Sequence, residues 1–275
     1  MSKSRKITIV GGGQSGLQLG CGLLSEGYEV DIVQNRDAEQ IRNGKVLSSQ
    51  CMFDAALQNE RDVGLNFWDD ECPTVDSINF VVPAPDGSGK KAIDWNGKLD
   101  KPAQSVDQRV KVPGWMKEFT RQGGEMVIHD AAIADLEAYA KQSDLVIVAA
   151  GKGDIAKMFE RDATRSPFDK PQRALALTYV KGMEQRADHS AVNFNLIPTV
   201  GEYFVFPALT VNGPCDIMVF EGIPGGPMDC WKDVKSPEEH LAKSKWILDT
   251  FLPWEADRNR NITLTDDNGI LAGAF

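Results

Sequence analysis

Near the N-terminus an apolar run meets a turn built from glycine: Ile7-Thr8-Ile9-Val10-Gly11-Gly12-Gly13-Gln14-Ser15-Gly16-Leu17. The free N–H groups and positive dipole end of a helix hold a pyrophosphate well, provided no Cβ blocks its approach. The spacing Gly11, Gly13, Gly16 suits that chemistry. Gly11 permits the tight turn out of a strand, Gly13 lets the backbone come close to a pyrophosphate, and Gly16 lets the following helix press on the strand. Gln14 and Ser15 open that helix. Arg109 stands just before a second predicted helix. Its planar fork reaches a phosphate or a flavin edge there, or stays a surface charge. The run Asp144-Leu145-Val146-Ile147-Val148-Ala149-Ala150-Gly151 ends in a glycine. That glycine is either a point where backbone approaches a ligand or a simple strand exit.

These residues need a β-α-β unit to position them. The pattern predicts a strand over 6–10 and a helix over 15–26, with Leu17, Cys21 and Leu24 on one face. Gly16 and Gly20 share a face that can lie against a sheet, and Gly27 stops the helix. A second strand follows over 28–33. An NAD-type fold usually ends this strand on an acid that holds a ribose hydroxyl. Gln34-Asn35-Arg36 stands there instead. That weakens an NAD reading and leaves polar groups for an adenosine ribose.

Further along, a polar loop over 42–50 leads into a helix ending near Leu57, and the Pro- and Gly-rich stretch 73–104 predicts short strands joined by turns. Pro113 introduces a predicted helix over 114–121. A strand over 125–129 and a helix over 131–142 come next. The apolar run 144–151 suits the middle of a parallel sheet covered on both faces. Strands over 173–181, 192–196, 203–210 and 215–221 predict an antiparallel meander. Ser236-Pro237-Glu238-Glu239 is a capping box with Pro at the first helical position. It opens a helix to about Phe251, stopped by Pro253. The fold class expected is α/β: a Rossmann-like domain with a parallel sheet, plus a mainly antiparallel β-sheet domain. The expected division assigns 1–72 and 104–164 to the first, and 73–103 and 165–260 to the second.

With 275 residues, 42% hydrophobic and 25% charged, the composition is ordinary for a globular protein. The formal net charge of −10, without a long basic run, argues against nucleic acid as partner. The basic opening Met1–Lys6 is followed by only Ile7-Thr8-Ile9-Val10 before Gly11, too short for a signal-peptide core. No stretch reaches the ~18 apolar residues of a membrane helix. A cytoplasmic location is expected. The 5 cysteines are scattered without a CxxC pair, and the 3 histidines are isolated in sequence, so no metal site is expected.

Several segments resemble the FAD-dependent oxygenase component of the styrene monooxygenase family. They are 9–19, 107–109, Gln122-Gly123-Gly124, 144–152 and above all Ser166-Pro167-Phe168-Asp169-Lys170-Pro171-Gln172-Arg173-Ala174-Leu175. No general flavoprotein motif requires that decapeptide. The resemblance runs from residue 6 to 275. It implies a two-component system in which an NADH-dependent flavin reductase supplies reduced FAD. The flavin reacts with O₂ to a C4a-hydroperoxide, which oxygenates styrene-like alkenes, indole or aryl sulfides. The chemistry is then the cofactor's, and the protein orients the reactants and excludes water.

By the same resemblance Gly11, Gly13, Ser15 and Gly16 belong to the pyrophosphate, and Arg109 to the flavin phosphate region. Gln14, Gln34, Asn35 and Arg36 fall in the same cofactor-binding set. Lys45 and Ser48 lie in the loop that approaches the flavin ring in relatives, where an arginine is usual. Gly151 lies toward the flavin or adenosine. Phe194, Leu196, Phe204, Phe206 and Leu209 are candidates to line a substrate pocket, or ordinary core. A homodimer is compatible with the resemblance. Relatives continue beyond residue 275, so 261–275 is expected to begin a return to the FAD domain, with the remainder absent. Two other readings stay open: a single-component NAD(P)H-dependent flavin hydroxylase, and a non-catalytic nucleotide-binding remnant.

Overall fold

The computed structural model describes residues 4–151, 154–187 and 189–274. Met1–Lys3 of the basic opening, Lys152 of a segment matched above, and Phe275 lie outside the described residues. The elements run β1 (Lys6–Val10), α1 (Gln14–Ser25), β2 (Glu29–Gln34), α2 (Ala38–Arg42), α3 (Asp54–Asp62), β3 (Thr74–Pro83) and β4 (Lys91–Gln104). Then come α4 (Gln108–Arg121), β5 (Glu125–Ile128), α5 (Ile133–Gln142), β6 (Leu145–Val148), β7 (Ala174–Lys181), β8 (Ala191–Ile197), β9 (Gly201–Thr210) and β10 (Gly213–Gly222). The chain finishes with α6 (Pro237–Phe251), α7 (Pro253–Arg258), β11 (Thr263–Leu264) and β12 (Ile270–Ala274). Two compact units form. One comprises Met1–Gly44, Ala55–Phe67 and Gln108–Pro167; the other comprises Lys45–Asp54, Trp68–Asp107 and Phe168–Phe275.

The first unit is built on a parallel sheet of order β5-β2-β1-β6. Ile9 and Ile32 are fully buried in it, and Leu17 and Cys21 of α1 are buried as well. Gly20 has the packing role its spacing predicts. A Cβ there would stand 2.8 Å from Ile32 Cδ1 and 2.9 Å from Phe119 Cε2, so only glycine lets α1 lie this close to β2 and α4. Helix α4 starts at Gln108, six residues before the predicted start at Gly114, and Pro113 sits inside it. Proline costs one helical hydrogen bond. Burial of Arg109, Val112, Met116 and Phe119 at helical spacing on one face outweighs that loss.

One expectation is overturned here. Among the described residues strand β6 is not central: it pairs only with β1, at the edge of the sheet, with Leu145 52% exposed. A continuous apolar run reports apolar neighbours above and below. It does not report how many strands sit beside it.

The second unit holds a mixed sheet of order β11-β7-β10-β9-β8-β3-β4, with β12 also on β7. The expected short strands over 73–104 are instead two long strands of one hairpin, because the Pro and Gly residues cluster at its tip. The meander is confined to β8-β9-β10. Strand β7 joins beyond β10, and β8 runs parallel to β3. Helices α6 and α7 cover one face, over a core of Tyr203, Met218, Phe220, Ile247 and Leu248. The other face carries Leu177, Tyr179, Val192, Phe206 and Ile217, onto which Val46 packs. Half of the predicted capping box forms: Ser236 Oγ accepts from the Glu239 N–H at 3.2 Å, while Glu239 Oε2 accepts from the Lys235 N–H at 2.7 Å instead of from the Ser236 N–H. Pro253 both ends α6 and starts α7 at its first turn.

Candidate functional site

The glycine turn has a geometry that side chains would destroy. The Gly11 N–H donates to Val33 O at 2.9 Å. Its φ of +122° is closed to most residues. A Cβ at Gly11 would stand 2.6 Å from Ala149 O, so the turn is wedged against the exit of β6. A Cβ at Gly16 would lie 1.9 Å from Gly11 O. At Gly13, by contrast, a Cβ would meet nothing within 4 Å. Gly13 is the N-cap of α1 and offers no side chain to the helix's first N–H groups. The turn is therefore closed to side chains where it touches the protein and open at Gly13.

Gln34, at the end of β2, folds back onto this turn. Its Oε1 accepts from the Gly12 N–H at 3.0 Å. Asn35 is exposed and Arg36 half-buried, while Asp37 caps α2 reciprocally with Gln40. Arg109 is 3% exposed, which overturns its reading as a surface charge. Ser15 and Gly151 are exposed.

Two residues of this unit escaped the sequence reading. Glu60 of α3 and Lys111 of α4 are buried and joined, Lys111 Nζ to Glu60 Oε1 at 2.6 Å. Gln14 Nε2 donates to that same oxygen at 3.3 Å. The only local signal is Lys111 four residues before Trp115, the spacing of helical neighbours. The ammonium lies 5.2 Å from that ring's centroid.

Lys45 and Ser48 fall in the second unit. Lys45 is exposed and Ser48 half-buried, on a segment fixed to the sheet by Val46 and by Ser49 Oγ, 2.9 Å from Tyr179 Oη. Burial pushes the Cys51 thiol of this segment up to about 12, and that of Cys21 in α1 up to about 11. Neither offers a thiolate near neutral pH.

Of the aromatic candidates, Phe194, Leu196, Phe204 and Phe206 share a sheet face by strand alternation, and Leu209 points to the opposite one. Phe194 and Phe204 stack with centroids 4.6 Å apart. Phe80 of β3 extends the row at 5.3 Å from Phe194, and Trp95 of β4 at 5.6 Å from Phe80. Phe80 and Trp95 were not among the sequence candidates, because only the parallel β3–β8 pairing brings them into register.

The architecture is that of flavin-dependent halogenases and monooxygenases. The flavin-dependent brominase Bmp2 superposes with a TM-score of 0.67 at 14% identity, over 99% of this chain and 68% of that one. The flavin-dependent halogenase CmlS superposes at 0.68 and 13% identity, over 100% and 50% of the two chains. Residues 151–258 match the family model described as styrene monooxygenase A putative substrate binding domain. Styrene monooxygenase StyA from Pseudomonas fluorescens and StyA from a Pseudomonas sp are each 29% identical to this chain over 238 residues, 86% of it and 56% of theirs. Over these stretches the chain is similar to styrene monooxygenases. It spans 56% of the length of these curated relatives.

Proposed function

We propose that this chain is the oxygenase component of a two-component FAD monooxygenase acting on small aromatic alkenes, indole or aryl sulfides. The observation that carries the cofactor reading is the turn Gly11–Gly16, sealed against side chains at Gly11 and Gly16 and open at Gly13. A diphosphate fits that cradle, because it needs bare N–H groups and a backbone it can approach closely. In this reading the first unit holds FAD and the second presents the substrate.

Gly11, Gly13, Ser15 and Gly16 would face the diphosphate. Gln34, Asn35 and Arg36 would hold the adenosine ribose. Arg109 would balance phosphate charge, and Gly151 of the same unit would lie toward the flavin or adenosine. When bound, reduced FAD supplies the two electrons that activate O₂, so that one oxygen atom goes to substrate and the other leaves as water. The protein's share is to fix the reactants and exclude water. The half-buried row Phe80, Phe194 and Phe204 suits a flat apolar substrate.

The test supplies an NADH-dependent flavin reductase, FAD, NADH, O₂ and styrene to the protein. Styrene oxide, or sulfoxide from an aryl sulfide, is expected. Hydrogen peroxide alone with every alkene and sulfide tried would sink the reading. Failure to bind reduced FAD under anaerobic titration would instead support a nucleotide-binding remnant.

A further inference from the structure

In the first unit a buried carboxylate sits beside the start of α1. Gln14 is the first residue of that helix, and its Nε2 donates to Glu60 Oε1 at 3.3 Å. Lys111 Nζ meets the same oxygen at 2.6 Å. Glu60 is 2% exposed and Lys111 1%. Trp115, under the ammonium, is itself fixed through Nε1 to Leu65 O at 2.9 Å. The low-dielectric surroundings of such a cluster let its charges act over distance, up to the exposed turn where solvent ions screen them.

A carboxylate near a helix N-terminus stabilises the helix on its own account. It also occupies the positive potential an incoming diphosphate would use. Like charges within ~10 Å in a protein environment cost on the order of tenfold in affinity. Glu60 lies only the length of the Gln14 side chain from the glycine turn. A lone anion there would oppose the ligand that the turn suits.

We infer that Lys111 is a positioning residue for the diphosphate end of the cofactor site, resting on the FAD reading above. It neutralises Glu60, so that Glu60 holds Gln14 in place without repelling the anion. The Glu60–Lys111 pair carries no net charge, and Lys111 provides this without touching the ligand. A purely structural ion pair would affect charged and uncharged ligands alike. A charge-balancing pair discriminates between them.

The experiment measures equilibrium binding of FAD, ADP and adenosine to the 275-residue chain and to K111M, E60Q and the E60Q/K111M double variant, at low and high salt. K111M should lose on the order of tenfold for FAD and ADP, with adenosine unchanged and the loss shrinking as salt rises. E60Q should bind FAD at least as tightly as the parent, and the double variant should return to the parent's affinity. If K111M does not fold, because buried Glu60 loses the Lys111 ammonium, the E60Q and double variants carry the same sign test. Equal FAD affinity in every folded variant overturns the inference and leaves the cofactor reading standing. So does a double variant as weak as K111M. A parent chain that binds ADP and FAD no better than adenosine overturns the cofactor reading itself.

Discussion

Below about pH 6.5 the second unit should lose stability through a single histidine. His240 lies on α6, 2% exposed, with its ring 4.6 Å from that of Trp231. Its Nε2 has no hydrogen-bond partner among the described residues. Burial lowers the His240 pKa from 6.5 to about 4, and the Leu177 carbonyl offsets this only in part. Folded protein therefore keeps the ring neutral where the unfolded chain has begun to protonate it. The unfolded state binds more protons between pH 6.5 and 4, so stability rises with pH across that window and is complete above it. A shift from 6.5 to about 4 corresponds to about 3 kcal/mol, at 1.36 kcal/mol per unit. His240→Phe replaces the ring with one that cannot titrate. Urea unfolding followed by tryptophan fluorescence at several pH values from 7 to 4 should give a smaller drop in the variant, by about 3 kcal/mol at the acid end. Carboxylates elsewhere titrate in both proteins and cancel in the difference. A difference between parent and variant that is constant from pH 7 to 4 would refute the reasoning.

Other outcomes follow from single contacts. Gly13→Val should abolish FAD binding while leaving the melting temperature unchanged, because no protein atom lies within 4 Å of the new Cβ; retained affinity would remove the diphosphate from this turn. Glu255→Gln should destabilise the second unit by about 3 kcal/mol or more in urea unfolding, since it deprives Arg186 and Arg258 of a fully buried carboxylate. In a double-mutant cycle, Phe194→Ala and Phe204→Ala should show a coupling of about 1 kcal/mol in stability, the worth of a stacked pair. A coupling of zero would mean that the two rings contribute only as separate apolar surfaces.

How much of this was legible in the sequence depends on how local the cause is. Gly11, Gly16 and Gly20 act by lacking a Cβ, and their spacing alone announces a strand, a turn and a helix in close contact. The first β-α-β unit could therefore be read almost to the residue. Pro113 misled because its cost is local while the compensating burial of Val112, Met116 and Phe119 is tertiary. Strand β6 misled because composition does not count neighbours. The joining of β7 beyond β10 and the parallel β3–β8 pair are long-range choices that no turn residue encodes. Lys111 and Glu60 are 51 positions apart. Each alone has the sequence signature of an ordinary surface charge.

Gln34 is where the sequence reading and the structure meet most closely. The absent acid argued against a nicotinamide-type ribose clamp, and the structure shows what the amide does instead. Its Oε1 is engaged by the Gly12 N–H at 3.0 Å, inside the glycine turn. An acid at this position would accept the same hydrogen bond more strongly, since charge-assisted bonds are about twice as strong. It would also bring a second negative charge beside the start of α1, this time without a Lys111 to balance it. Gln34→Glu should therefore hold or raise the melting temperature while weakening ADP and FAD on the order of tenfold, in a salt-dependent way. Titrations at low and high salt check this. If instead ADP binds the variant more tightly at every salt concentration, the contact of residue 34 with the ribose outweighs any charge it brings to the turn. The neutrality of the turn would then be incidental rather than the property that suits it to a diphosphate.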